Sequence, residues 1–250
     1  MARNMAATFE AMRKCFPGVS GPVCGFRPGN AYDAIYMRDT AYLSAVTRYA
    51  YPPMHLRSVV EEVLSIQYDD SDDDLPVRDK LPRLPWPSRP GVGAVSAVID
   101  YDLRREKASV ASDEEPSLVR AAYIAFRAGG GPTWLRKPIR GRSVLDRLAS
   151  AINWTLEHRR DGATGLIIRP HTTDWGDVES GDDGTWGGDA PPSAWTASIY
   201  DQAVTYRALR ELAIMFGASG DAVRSSAFNT LADDLRARTR EHLWSDANGY

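Results

Sequence analysis

Residues 143–158, SVLDRLASAINWTLEH, decide the class of fold. Val144, Leu145, Leu148, Ile152 and Leu156 recur at the spacing of one helical stripe. Ser143 stands where an N-cap belongs, and Asp146 sits at the third helical position, where the helix dipole favours an acid. The same period extends in both directions. Leu56, Val59, Val60, Val63 and Leu64 form a second stripe. Leu118, Ala121, Ala122 and Ala125 form a third, entered through Asp113, Glu114, Glu115 and Pro116. The run from Ser198 to Phe216 sets Ile199, Ala203, Tyr206, Leu209, Ala213 and Phe216 on one face and is expected to stop at Gly217. Phe228, Leu231 and Leu235 mark a further helix. Tyr32 to Tyr49 reads as helical up to Pro52 and Pro53, and residues 5–15 are one more candidate. No alternating strand longer than four residues stands out. The expected fold is all-α, about seven helices in one domain over residues 1–250.

The connections differ in character. Gly217 to Gly220 is short, whereas Gln67 to Tyr101 and Pro170 to Ala194 are long and rich in turn residues. Loops of that length in a compact domain are commonly functional. Helical hairpins with long loops gathered at one rim are the expected arrangement.

Composition narrows the partners. The 250 residues are 43% hydrophobic and 25% charged, with a net charge of −3, which fits a globular domain. A mildly acidic chain disfavours nucleic acid, and Arg136, Lys137, Arg140 and Arg142 read as an exposed loop entering a helix. No run approaches the roughly 18 apolar residues of a membrane span. The polar start MARNMAATFEAMRKCF lacks a signal-peptide pattern, so a cytoplasmic protein is expected. In that setting Cys15 and Cys24 are expected as thiols, a single bridge between them being the alternative. His55, His158, His171 and His242 show no metal spacing, and Gly91-Val-Gly93 lacks the third glycine of a dinucleotide fingerprint. No metal or cofactor is expected.

Chemistry concentrates between residues 170 and 206. Asp174, Asp177, Glu179, Asp182, Asp183, Asp189 and Asp201 occur there without one Lys or Arg, interleaved with Trp175, Trp186 and Trp195. Carboxylates lacking local cations push some of their pKa values upward, which is how a general acid stays protonated near neutral pH. Indoles beside acids suit a sugar, the ring stacking on its apolar face while the acids take its hydroxyl protons. A solvated acidic loop is the plainer reading; a calcium loop lacks the EF-hand spacing. Tyr36, Arg38 and Asp39 add an opposite-charge pair inside an aromatic stretch, readable as a surface ion pair or as a grip on sugar hydroxyls. Asp113, Glu114 and Glu115 are explicable by helix capping alone.

Five pieces in order resemble the six-hairpin glycosidases, the (α/α)6-toroid enzymes that include glucoamylase, trehalase, α-L-rhamnosidases and amylo-α-1,6-glucosidase. They are YMRDTAY at 36–42, SDEEPSLVRAAY at 112–123, TGLIIRPHTTDWGDVE at 164–179, WTASIYDQAVTYRALREL at 195–212 and LWSDANGY at 243–250. The resemblance implies that Arg38 and Asp39, beside Tyr36, bind the non-reducing sugar, and that Glu115 opens a helix beside that subsite. It implies that Trp175-Gly176-Asp177 carries the general acid, Asp177, with Asp174 and Glu179 as neighbouring alternatives. Trp195 and Asp201, the latter in Tyr200-Asp201-Gln202, would line the pocket. Gly176 replaces a larger residue of the family motif, and the glucoamylase acid motif is not matched.

The implied reaction is exo-acting, inverting hydrolysis of an α-linked glycoside of α-glucosidase or α-rhamnosidase type. A second carboxylate about 6.5–9.5 Å from the acid activates water; no residue here matches that base. Twelve helices at this density need a chain well beyond 250 residues, so the resemblance implies the front part of a ring, truncated at its C-terminus. Exposed inner faces would then invite self-association, and the chain alone is expected not to hydrolyse. A non-catalytic carbohydrate-binding or scaffold protein is the alternative, followed by a toroid epimerase or lyase.

Overall fold

In the computed structural model the described residues are 2–18, 21–29, 34–68, 92–95, 98–99, 112–170 and 195–247. Helix α1 (Ala2–Met12) leads into a hairpin of β1 (Arg13–Gly18) and β2 (Gly21–Phe26). A short strand β3 (Ile35–Tyr36) runs directly into α2 (Met37–Thr47), followed by α3 (Pro53–Ser65) and β4 (Val98–Ile99). Then come α4 (Glu114–Ala125), a π-helical turn (Phe126–Gly130), α5 (Gly131–Leu135) and the short strands β5 (Pro138–Ile139) and β6 (Arg142–Ser143). Helix α6 (Val144–His158), strands β7 (Arg169–Pro170) and β8 (Trp195–Thr196), and helices α7 (Ile199–Ala218) and α8 (Ala222–Leu243) complete the order.

Local chemistry explains the helix starts. The Ser143 hydroxyl accepts the Asp146 amide proton at 3.0 Å and donates to the Asp146 carboxylate at 2.5 Å. From α8, Arg224 donates to the other carboxylate oxygen at 2.5 Å, so one cap also fastens two helices. Burial alone would raise the Asp146 pKa, but the Ser143 and Arg224 hydrogen bonds hold it below the ordinary range. Pro53 occupies the first turn of α3, where its missing N–H leaves nothing unpaired.

Burial then sorts the helices. Nearly every residue of α4 is buried, as suits a helix with neighbours on all sides. It packs against α2, α3, α6 and α7, while α6 also meets α7, and α7 meets α8. Thus α2, α4 and α7 stand side by side, with α3, α6 and α8 filling in between and beyond. One apolar cluster runs from Phe16 and Val23 of the hairpin through Leu118, Leu148 and Leu212 to Leu235 of α8. Arg147 is fully buried in α6, satisfied by the Ile139 and Arg140 carbonyls at 2.7 and 3.2 Å. Gly93 crosses α6 so closely, at φ +101°, that a Cβ would lie 2.3 Å from the Ser150 carbonyl oxygen. That glycine serves a close approach of two backbones.

Several expectations change. The protein is mostly helical with a small amount of sheet: β1–β2, β3–β4, β5–β6 and β7–β8 form two-stranded antiparallel pairs. Strand β1 does alternate, with Lys14 and Phe16 buried and Arg13 and Cys15 exposed, but a buried lysine and a following proline hide the pattern from hydropathy. The helix expected over residues 5–15 therefore ends at Met12, and the one expected from Tyr32 has its first turn at Met37. Helix α7 passes Gly217 and stops at Ala218, the left-handed turn falling on Gly220 at φ +87°. Cys15 and Cys24 face each other across β1 and β2 and are joined as a disulfide. The bridge withdraws the reason for expecting a reducing compartment. Among the described residues no helix is long and apolar enough to cross a membrane.

Ser143→Ala is expected to lower stability by about 1 kcal/mol in urea unfolding, the usual worth of an N-cap. Ser143→Asp, which keeps an acceptor, should lose less.

Candidate functional site

The N-terminal ends of α2, α4 and α7 meet at one end of the bundle, each bringing polar side chains from its first turn or its cap. Arg38 of α2 forms a two-pronged pair with Asp113 at the cap of α4, Nε to Oδ2 at 2.5 Å and Nη2 to Oδ1 at 3.1 Å. Tyr200 of α7 donates its hydroxyl to the same Oδ2 at 2.9 Å. Three helices that are distant in sequence are thereby tied through one carboxylate. Asp113 makes no side-chain capping bond to its own helix, so its acidity serves the neighbours, and capping does not account for it. The pairing raises the Arg38 pKa against the opposing effect of burial, and burial with the Asp113 charge raises that of Tyr200.

A second carboxylate lies one step along α7. Asp201 is completely buried and accepts from Ser112 Oγ and Ser198 Oγ, each at 2.7 Å, and from Arg169 Nε at 3.0 Å. Ser198 also receives the Asp201 amide proton at 3.2 Å, closing the first turn of α7. Burial pushes the Asp201 pKa upward, outweighing those donors and the Arg169 charge. Gln202 braces the next residue over, its amide exchanging two 2.8 Å hydrogen bonds with the backbone of Ile167.

Arg159, at the cap after α6, lies within the field of Glu115, Glu114 and Asp201. It is 1% exposed, its guanidinium 5.2 Å from the Trp154 ring and 5.7 Å from the Trp195 ring. Burial draws its pKa down to about 10, while the charges of Glu115, Glu114 and Asp201 resist. Tyr42, hydrogen-bonded with Tyr200, is exposed, while Tyr200, Trp195 and Arg38 are half-buried.

Of the residues singled out from sequence, Arg38, Glu115, Trp195 and Asp201 fall in this cluster. Tyr36 caps α2, its carbonyl accepting from Thr40 at 2.8 Å, and Asp39 is half-buried in the first turn. Glu115 is fully buried, with Oε1 accepting the Val95 amide proton at 3.2 Å. Asp174, Trp175, Asp177 and Glu179, with His171, lie outside the described residues. Strands β7 and β8 pair Arg169 with Thr196 and Pro170 with Trp195, and Arg169 donates to Asp201. Sequence reasoning missed Asp113, Arg159, Arg169 and the role of Ser112. One signal was present: a window of seven acids without a cation needs neutralising from its borders, and Arg169 stands there. No family model matches the chain, and no curated protein matches it.

Arg38→Met strands a buried carboxylate and is expected to cost about 3 kcal/mol in urea unfolding. For Asp201, a pKa raised by folding means that the folded chain holds the proton more tightly. Its contribution is therefore greatest at acid pH and declines as pH rises above about 4. The stability difference between wild type and Asp201→Asn should fall across that range; a difference that grows with pH contradicts the assignment.

Proposed function

We propose that the chain carries the sugar-gripping and proton-donating part of an exo-acting, inverting glycosidase site for α-linked sugars. In this reading Trp195 and Arg38 hold the terminal sugar. Asp177 protonates the glycosidic oxygen, with Asp174 and Glu179 as the neighbouring acids. The observation that supports the reading is the Arg38–Asp113–Tyr200 cluster at one end of the bundle, with Arg169 of β7 donating to Asp201, the residue after Tyr200. The order of the sequence pieces adds support, as does the placing of α2, α4 and α7 side by side. No carboxylate is assigned to activating water, so binding is the first property to measure.

One observation favours a non-catalytic carbohydrate-binding role instead: Asp113, Glu115 and Asp201 are all buried and engaged by protein donors. The two readings separate experimentally. Calorimetric titration with a panel of α-linked disaccharides should show binding that Trp195→Ala weakens at least about tenfold, the size of one lost aromatic contact. Under the glycosidase reading, in an enzyme that also supplies the water-activating carboxylate, Asp177→Asn removes most hydrolysis of disaccharides but spares activated aryl glycosides, and proton NMR shows the inverted anomer first. Binding without turnover even when that carboxylate is supplied leaves the carbohydrate-binding role. Absence of binding to every sugar in the panel sinks both.

A further inference from the structure

The far side of the hairpin carries a second cluster, separate from the sugar-type site and independent of how that site is read. Cys15 and Cys24, directly opposed on β1 and β2, lie beside His55 in the first turn of α3, and one ligand atom from each falls within 4.8 Å of the others. His55 Nε2 is buried and makes no hydrogen bond among the described residues. A buried ring nitrogen ordinarily has a partner, so one without needs a reason. A cavity of about 1010 Å³ opens onto Cys24 and His55, with Arg57, Glu61 and Lys137 among its walls.

We propose that Cys15, Cys24 and His55 form a redox-gated site for a soft divalent cation of the zinc type, closed while the disulfide stands and opened by its reduction. Two thiolates and a neutral imidazole are a preferred donor set for zinc, with sulfur at about 2.3 Å and nitrogen at about 2.0 Å from the metal. Tetrahedral binding needs the two sulfurs about 3.8 Å apart, which follows from those bond lengths and is within reach of opposed cross-strand cysteines. Water from the cavity supplies the fourth position.

The chemistry balances with a dithiol reductant. One of its thiolates attacks a cysteine sulfur, the S–S bond breaks, and a mixed disulfide forms. Its second thiol then displaces the remaining cysteine, so the reductant leaves as its own disulfide and two electrons and two protons stay on Cys15 and Cys24. Zinc binding releases those two protons to solvent and changes no oxidation state.

The fold keeps the three ligands together after reduction. The Cys24 amide donates to Ser58 Oγ at 3.2 Å, and Ser58 Oγ donates to the His55 carbonyl at 2.8 Å, so β2 is pinned to the start of α3 without the disulfide. Val23 and Phe26 on either side of Cys24 are buried, and Phe26 lies against His55 with ring centroids 6.1 Å apart. Scattered in sequence, His55 gave no metal spacing; the hairpin brings the cysteines to it.

The full chain, reduced with dithiothreitol and desalted without oxygen, should take up one zinc ion in competition with a chromophoric chelator. The oxidised chain should take up none. Cobalt added to the reduced chain should give a thiolate charge-transfer band and the strong visible absorption of a tetrahedral site, a readout that needs no substitution. Cys15→Ser should abolish tight binding, and His55→Ala should weaken it at least about tenfold. Equal uptake by oxidised and reduced chains, no uptake after reduction, or a cobalt spectrum without a thiolate band overturns the proposal. So does a folded His55→Ala variant that binds as wild type does.

Discussion

The carboxylate of Asp113 is the point on which the end of the bundle depends. Packing of apolar faces holds α2, α4 and α7 side by side but is tolerant of sliding, since hydrophobic burial has no direction. A two-pronged guanidinium pair does have direction, and with the Tyr200 hydroxyl it fixes the rotation and height of three helices at once. Asp201 repeats the device one residue along, tying the Ser112 end of α4 and the β7 stem to α7. The order of this end comes from electrostatics in a dry setting, where an unpaired charge is costly.

That arrangement explains what sequence could and could not convey. Helices α3, α4 and α6 were legible because each writes its buried side as an apolar stripe, and Ser143 and Ser198 advertise the starts of α6 and α7. In α7 the expected stripe fails at its start, where Ile199 and Ala203 are exposed and the buried side is Asp201, Gln202 and Thr205. The hairpin was not, because Lys14 points inward and Pro17 and Gly18 follow, so burial and hydropathy disagree along β1. Arg38 and Asp201 were recognised as positions of interest, yet their partners were invisible. Asp113 looks like a helix cap and Arg159 like a cation suiting a helix C-terminus, both ordinary local roles. Their actual work is across helices, and no local rule encodes it.

The two polar clusters of the molecule differ in kind. At the helix N-termini the groups are carboxylates, guanidinium groups and hydroxyls that pair with one another. At the hairpin two sulfurs are joined covalently, with the His55 imidazole beside them and a cavity opening onto Cys24 and His55.

The sequence distances spanned by the first cluster bear on when it comes into being. Arg38 and Asp113 are 75 residues apart, Tyr200 and Asp113 are 87, and Ser112 and Asp201 are 89. Helices grow from neighbours in about a microsecond, whereas contacts of such separation wait for the chain to close large loops. A folding chain will hold most of its helical signal before any of these ion pairs exists. The N-terminal ends of α2, α4 and α7 are thus completed with the rest of the long-range packing, such as Arg120 with Glu211, 91 residues apart, and not with the helices themselves.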